Sequence, residues 1–375
     1  MIVKNAIEDN IKYDIVLMIM VFGLLVFGSI MVMSAGSFIA AEKFNNDSYF
    51  TVNQTKNAMI AFFALLAGMM LNYKIYNNKY IMYSGLGLTV LALIYLLISN
   101  QGESVKGATR WIFGFQPSEV AKNMIVFYLA FSLNCKRNEL KQFMRGYVYH
   151  MVILSSIVGM VLLQPAFSTS MMIFAIGYSM LYISGMKLKH LMSSMILIIP
   201  IIIIIALIQP YRLARVTTFL EPEKDTSGKG WQVEQSLIGF GNGGLTGVGL
   251  GESRQKEFYL PEPHNDFIFS IIGDELGFAG TILLIAAYVI IMIRGLRIAS
   301  RAPDYYGFIL ASGITMTVVI YSIFNMSITL GLVPPTGLPL PMVSYGGTSL
   351  IMTMFSMGVL LNISYKSKNQ AETDD

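Results

Sequence analysis

Charge is what this 375-residue sequence has least of: Asp, Glu, Lys and Arg together make up 13% of it, about half the ~25% of a typical soluble domain. Hydrophobic residues reach 54% and the mean hydropathy is +0.60. So few charges cannot cover the water-facing surface of a chain this long, which excludes a water-soluble enzyme. Cysteine is almost absent, and the single Cys135 excludes an intrachain disulfide and any Cys-rich metal site. Of the three histidines, His150, His190 and His264, no two stand at metal-ligand spacing, so a zincin-type site is excluded as well. The net charge of +4 comes from Lys and Arg scattered among loops. Without a clustered basic face the chain has no nucleic-acid footprint.

What the sequence does have is long apolar runs. Ten stretches are long enough to cross a hydrocarbon core of about 30 Å: 14–36, 57–73, 80–99, 118–134, 147–164, 169–186, 190–208, 267–293, 306–330 and 346–364. The expected fold is therefore an all-α polytopic membrane protein of about ten transmembrane helices. The first run is too long and unbroken for a cleavable signal segment and reads as a retained span. With the N-terminus inside, the inner segments carry Lys4, Lys12, Lys74, Lys79, Lys136, Arg137, Lys141, Arg145, Lys187, Lys189, Arg294, Arg297, Arg301, Lys366 and Lys368. The short outer segments carry only Lys43, Lys56, Lys106 and Arg110. Positive charge in short loops sets orientation, so the reading is N-in and C-in.

The expected organisation is a short cytoplasmic segment (1–13), one ten-helix membrane domain (14–365) and a polar cytoplasmic tail (366–375). One extracytoplasmic loop, 209–264, is far longer than the rest. Loops of this length are functional or disordered, and Trp231, Phe258, Tyr259 and several glycines make this one an ordered element near the membrane surface. Its glycine-rich stretch 239–251 is no dinucleotide fingerprint, because it lies outside any βαβ unit. The glycines there serve tight turns or close backbone approach to a ligand.

Ionisable side chains at membrane depth mark candidate chemistry. Glu119 and Lys122 open the fourth span after Pro117 and, three residues apart, share a helix face. They read equally as an ion pair holding helices together or as the lining of a polar cavity. Asp274 and Glu275 lie about 12 Å into the eighth span at 1.5 Å per residue, and their partners are Lys122 or an arginine. Asp266 sits at the outer mouth of that span, after Glu262 and His264. There a carboxylate is either a helix cap or a general base. Arg110, Arg212 and Arg215 are solvated outer-loop side chains or guanidinium forks for phosphate.

Several stretches together resemble the SEDS proteins (shape, elongation, division and sporulation). They are Arg110-Trp111-Ile112; Gln116-Pro117-Ser118-Glu119 with Lys122; Trp231-Gln232 through Gln235-Ser236; Gln255-Lys256; Tyr259-Leu260-Pro261-Glu262; His264 and Asp266-Phe267-Ile268-Phe269; Glu275-Leu276-Gly277; and Pro335 to Pro341 leading into Ser344-Tyr345-Gly346-Gly347-Thr348-Ser349. The first span's Ile30 to Ala35 and the Pro-Thr-Gly segment are more similar to the division branch, FtsW, than to the elongation branch, RodA. Two departures stand out: Ala166 where the family usually has Asp, and Asn265 where Thr is usual.

The resemblance implies a peptidoglycan glycosyltransferase that joins lipid II disaccharides by β-1,4 bonds on the outer face of the membrane, releasing undecaprenyl pyrophosphate with inversion. It implies Asp266 as general base, and Lys122, Glu119, Arg110, Arg212 and Arg215 around the pyrophosphate. His264, Glu262, Lys256, Glu275 and Ser344 are the supporting set. Its expected partners are lipid II, the nascent glycan strand, a class B penicillin-binding protein and other division proteins. A divalent cation, Mg2+ or Mn2+, is the only cofactor that such chemistry brings into question. The rival readings are a lipid II flippase, for which buried charge also suits, and a non-catalytic scaffold for the transpeptidase.

Overall fold

The computed structural model describes residues 13–98, 103–105, 108–111, 114–164, 166–208, 217–219 and 228–374. Its helices are α1 (Ile15–Phe44), α2 (Tyr49–Met70), α3 (Lys79–Ile98), α4 (Pro117–Cys135), α5 (Tyr149–Leu163), α6 (Phe167–Ile183), α7 (Leu188–Ile208), α8 (Lys229–Gly243), α9 (Gln255–Phe258), α10 (Ile268–Ser300), α11 (Tyr305–Thr329) and α12 (Gly347–Asp374). Ten of them coincide with the ten apolar runs, while α8 and α9 fold within the long loop. Six segments are long and apolar enough to cross a membrane: 15–44, 79–98, 143–163, 268–300, 305–329 and 347–368. The protein is an all-α polytopic membrane protein. One small addition to the helical class is an antiparallel hairpin, β1 (Glu103–Val105) and β2 (Ala108–Trp111), between α3 and α4.

Four boundaries differ from the hydropathy reading: α10 runs on to Ser300 and α12 to Asp374, through the expected polar tail, and the other two lie at the turn between α1 and α2. Helix α1 runs on to Phe44, where Asn45 takes a left-handed cap, and α2 begins at Tyr49 rather than near residue 57. The polar turn Asn53, Gln54, Lys56 and Asn57 falls outside an apolar window, yet Gln54 is buried and Asn57 lies against Gly347. Tertiary packing thus overrides hydropathy at this end.

The helix ends are stitched in two sets. At one face Asp14 caps α1 through Leu17 N and receives a two-pronged bond from Arg294 at the far end of α10. Tyr73 donates to Asp304, which caps α11 through Gly307 N, and Tyr305 donates to the carbonyl of Ser184. At the opposite face Phe50 packs on His264 and Tyr345, and Gln116 N donates to Thr348. Each set joins segments of matching parity in the chain, as an up-and-down bundle requires.

Helix α10 is broken. Gly277 has φ 66° and ψ −163°, outside the helical region and open only to glycine without strain. The residues beyond it, 278–300, are by themselves about 34 Å long at 1.5 Å per residue, enough for a hydrocarbon core of about 30 Å. Backbone groups freed by the break are not left bare. Phe278 N and Ala279 N donate to the carbonyls of Gly244 and Leu245, while Val248 N and Gly249 N donate to those of Asp274 and Glu275. Irregular backbone among membrane helices persists only when buried and paired in this way. The glycine-rich stretch therefore makes its close approach to α10 itself, not to a ligand, and residues 229–258 are a packed part of the bundle.

A second irregular segment, 335–346, folds inward between α1 and α10. The Tyr288 hydroxyl donates to the carbonyl of Pro341, Leu340 N donates to Ser344 Oγ, and Tyr345 N donates to the carbonyl of His264.

Candidate active site

Asp266 stands where α10, α11 and the 335–346 segment meet. It is half-buried and is not the cap of α10: the N-cap is Phe267, which makes no side-chain cap bond. Its carbonyl accepts from Asn325 Nδ2 at 3.0 Å. The same amide nitrogen donates to the carbonyl of Leu338 at 2.7 Å. On the other side Gly337, with φ 74°, runs so near that a Cβ placed there would sit 3.2 Å from Asp266 Oδ2.

The neighbouring loop is stiff. His264 is buried between the rings of Phe50 and Tyr345, with centroids 4.0 and 5.5 Å away. Burial pushes its imidazole down to about 4, against the attraction of Glu262 and helped by Lys43, so it is neutral at pH 7. Glu262 accepts from Asn265 Nδ2 at 3.2 Å. Ser344 is buried and spends its oxygen on the turn at Leu340.

One face of α11 links this loop to the α4 charges. Four residues before Asn325, about 6 Å along the helix, Tyr321 places its ring 4.2 Å from Lys122 Nζ. Lys122 also donates to Glu119 Oε2 at 2.6 Å, and both side chains are almost wholly buried. Pro117 opens α4, where its missing N–H costs nothing. The i, i+3 spacing then brings the two charges together. Asn123 holds the carbonyl of Glu119 and accepts from Ser356 of α12.

The acidic pair of α10 has other partners than Lys122 or an arginine. Glu275 is paired with Lys256 of α9 at 2.5 Å, with 0% and 3% of the two side chains exposed. Ser34 of α1 lies between them, donating to Glu275 and accepting from Lys256. Asp274 accepts from Ser253. Nineteen residues separate Lys256 from Glu275, so only the fold of the long loop reveals the pair.

Arg212 and Arg215 lie outside the described residues, as does the side chain of Arg110, whose backbone forms part of β2. Among the described residues no three His, Cys, Asp or Glu side chains gather in a way that could hold a metal ion. Asp274 and Glu275 are engaged by a hydroxyl and an ammonium. The described residues thus do not form a resident cage for Mg2+ or Mn2+. The sequence reading missed Asn325, Tyr321 and Gly337. A signal existed for Asn325, a carboxamide within an apolar run, since polar groups at membrane depth mark function or buried contacts.

A family model described as cell cycle protein, covering FtsW, RodA and SpoVE, matches residues 15–369. The chain belongs to the FtsW/RodA/SpoVE family. Within that family, the probable peptidoglycan glycosyltransferase FtsW of Trichlorobacter lovleyi is 40% identical over 357 residues, 94% of this chain and 93% of its own. Stage V sporulation protein E of Bacillus subtilis is 36% identical over 361 residues, 95% of this chain and 98% of its own. A chain from the solved structure described as structural coordination of polymerization and crosslinking by a peptidoglycan synthase complex superposes with a TM-score of 0.75 at 25% identity, covering 94% of this chain and 97% of that chain. The rod shape determining protein RodA of Thermus thermophilus shares the fold, with a TM-score of 0.69 at 22% identity over 95% of this chain and 98% of its own.

Both departures of this FtsW/RodA/SpoVE chain have a place in the structure. Ala166 is buried at the N-cap of α6, without a side-chain cap bond. Asn265 fastens the turn before Asp266 through Glu262.

Proposed function

We propose that this chain polymerises lipid II into glycan strands on the extracytoplasmic face of the membrane, as a ten-span, N-in and C-in protein. The 4-hydroxyl of the acceptor sugar attacks C1 of the donor. The bond from C1 to the pyrophosphate oxygen breaks, and undecaprenyl pyrophosphate leaves from the opposite face, so the α-linked donor gives a β-1,4 product. Asp266 takes the hydroxyl proton as the new bond forms, because a sugar hydroxyl is too weak an acid to lose it beforehand. Positive charge stabilises the departing pyrophosphate, a role for Lys122 with Arg110, Arg212 and Arg215, while Glu119 orients Lys122. His264, Glu262 and Ser344 support the loop, and Lys256 with Glu275 anchors its far end. A class B penicillin-binding protein crosslinks the product.

The observation that carries this reading is the setting of Asp266. It stands at the mouth of a broken helix, its backbone carbonyl held by Asn325 on the same face of α11 that bears Tyr321 against Lys122. Support comes also from relatives named as peptidoglycan glycosyltransferases over nearly the whole chain. The charges that a transport path would use, Glu119, Lys122, Lys256 and Glu275, are instead consumed in pairs.

The test is a polymerisation assay with fluorescent lipid II, the transpeptidase partner and penicillin, with products resolved on a gel. Wild type is expected to give long glycan and Asp266→Asn none, the two matching in size exclusion and thermal melting. Equal polymer from both would remove Asp266 from the base role. Translocation of lipid II in liposomes without polymer would replace the reading with the flippase.

A further inference from the structure

We propose that Asn325 and the left-handed turn at Gly337 form a two-point mount that fixes Asp266 for reaction, making Asn325 a positioning residue for the transfer. The inference rests on the reading of Asp266 as the base and deepens it.

Asn325 is fully buried in α11. Its amide nitrogen has two acceptors, the carbonyl of Asp266 at 3.0 Å and that of Leu338 at 2.7 Å. Those two acceptors also fix which way the carboxamide points, because the flipped orientation would set its oxygen against two carbonyl oxygens. Asn325 Oδ1 has no partner among the described residues. The side chain is thus committed to joining the segment that carries Asp266 to the segment that carries Gly337. An apolar residue of similar size would leave both carbonyls unpaired in a dry interior.

Gly337 completes the mount from the other side. Its φ of 74° brings the chain back toward α10, and the missing Cβ leaves Asp266 Oδ2 just enough room. Held at its carbonyl by Asn325 and bounded at its carboxylate by Gly337, Asp266 has little freedom to drift from an incoming hydroxyl. Displacing a reacting group by about 1 Å costs on the order of 100-fold in rate.

Two variants test the mount in the full chain with its transpeptidase partner. Asn325→Asp keeps the shape of the side chain and removes the amide N–H groups, leaving at most one O–H donor for the two carbonyls. Gly337→Ala puts a methyl group against the carboxylate from the opposite side and leaves Asn325 untouched. Fluorescent lipid II binding counts the competent protein, and single-turnover polymerisation is then expressed per binding site, so unfolded protein does not lower the rate. Both variants are expected to lose on the order of 100-fold in the single-turnover rate, with lipid II affinity and KM within about twofold, as for an interaction used only in the transition state. A purely structural role would lower the number of binding sites and leave the rate per site unchanged, and that result would overturn the mount. If Asn325→Asp does not fold, a wild-type rate per site in Gly337→Ala overturns it alone. Asp266→Asn runs alongside: full activity in that variant would reject the base itself, whereas its inactivity beside active mount variants would reject only the mount.

Discussion

Removing one charge of the Lys256–Glu275 pair is expected to cost far more than removing both. The two groups are 2.5 Å apart with almost no exposure. At an effective dielectric of about 20 their attraction is about 7 kcal/mol. Much of that offsets the desolvation of two ions, which is why uncharged replacements of both partners are often neutral. Lys256→Met alone leaves Glu275 buried with only the Ser34 hydroxyl, and Glu275→Leu alone strands an ammonium. Each single change is expected to destabilise by about 3–5 kcal/mol. An unfolding entropy of about 2.1 cal/mol/K per residue gives roughly 0.8 kcal/mol/K for the whole chain, so Tm falls by about 4–6 °C. The double variant Lys256→Met with Glu275→Leu is expected to recover most of that loss. Thermal melting in detergent, run as a double-mutant cycle, measures the coupling directly. Additive losses in the double variant, or single variants within about 1 kcal/mol of wild type, would refute the buried-pair argument.

Two further outcomes follow from other parts of the bundle. His264 has a folded pKa of about 4 against about 6.5 unfolded. The unfolded chain therefore binds the extra proton first, and stability falls as pH drops from about 6.5 to 4, by about 3 kcal/mol in all. His264→Phe, which keeps a ring beside Phe50, should flatten the Tm slope in that window, and an unchanged slope would assign it to other groups. Gly277→Ala would bring a Cβ within 2.3 Å of Gly247 N at a φ of +66° and is expected to destabilise by about 3 kcal/mol or more. Gly241→Ala, on α8 with open space around it, is expected to be neutral or stabilising by about 0.5 kcal/mol. Equal melting of these two alanine variants would contradict the tight junction at the break.

Hydropathy was enough to locate a helix at each of the ten apolar runs, six of which fall in segments long and apolar enough to cross a membrane. The Glu119–Lys122 pair was legible for a local reason, since i, i+3 spacing on a helix forces proximity whatever the tertiary fold. Lys256 and Glu275 offered no such rule: a loop, a short helix and a turn separate them, and only packing brings α9 under α10. The glycines of 239–251 signalled freedom of the backbone but not its use. Only the paired carbonyls and amides on either side of Gly277 reveal that α10 is broken and refilled by this stretch. At α2 the sequence misled, because its polar turn resembles a loop until the fold buries Gln54 and sets Asn57 against Gly347 of α12. Asn325 stood out as a carboxamide within an apolar run, but its use stayed hidden because its two partners are the backbone carbonyls of Asp266 and Leu338, and carbonyls are invisible in a sequence.

The fixtures of α1 also bear on the order of synthesis. Ser34 binds Glu275, 241 positions later. Asp14 binds Arg294, 280 positions later, and Ser364, 350 positions later. At about 5–20 residues per second, the first helix precedes these partners by roughly 10–70 s. During that interval α1 waits in the bilayer without its polar attachments, so the first span made is among the last to be locked in place.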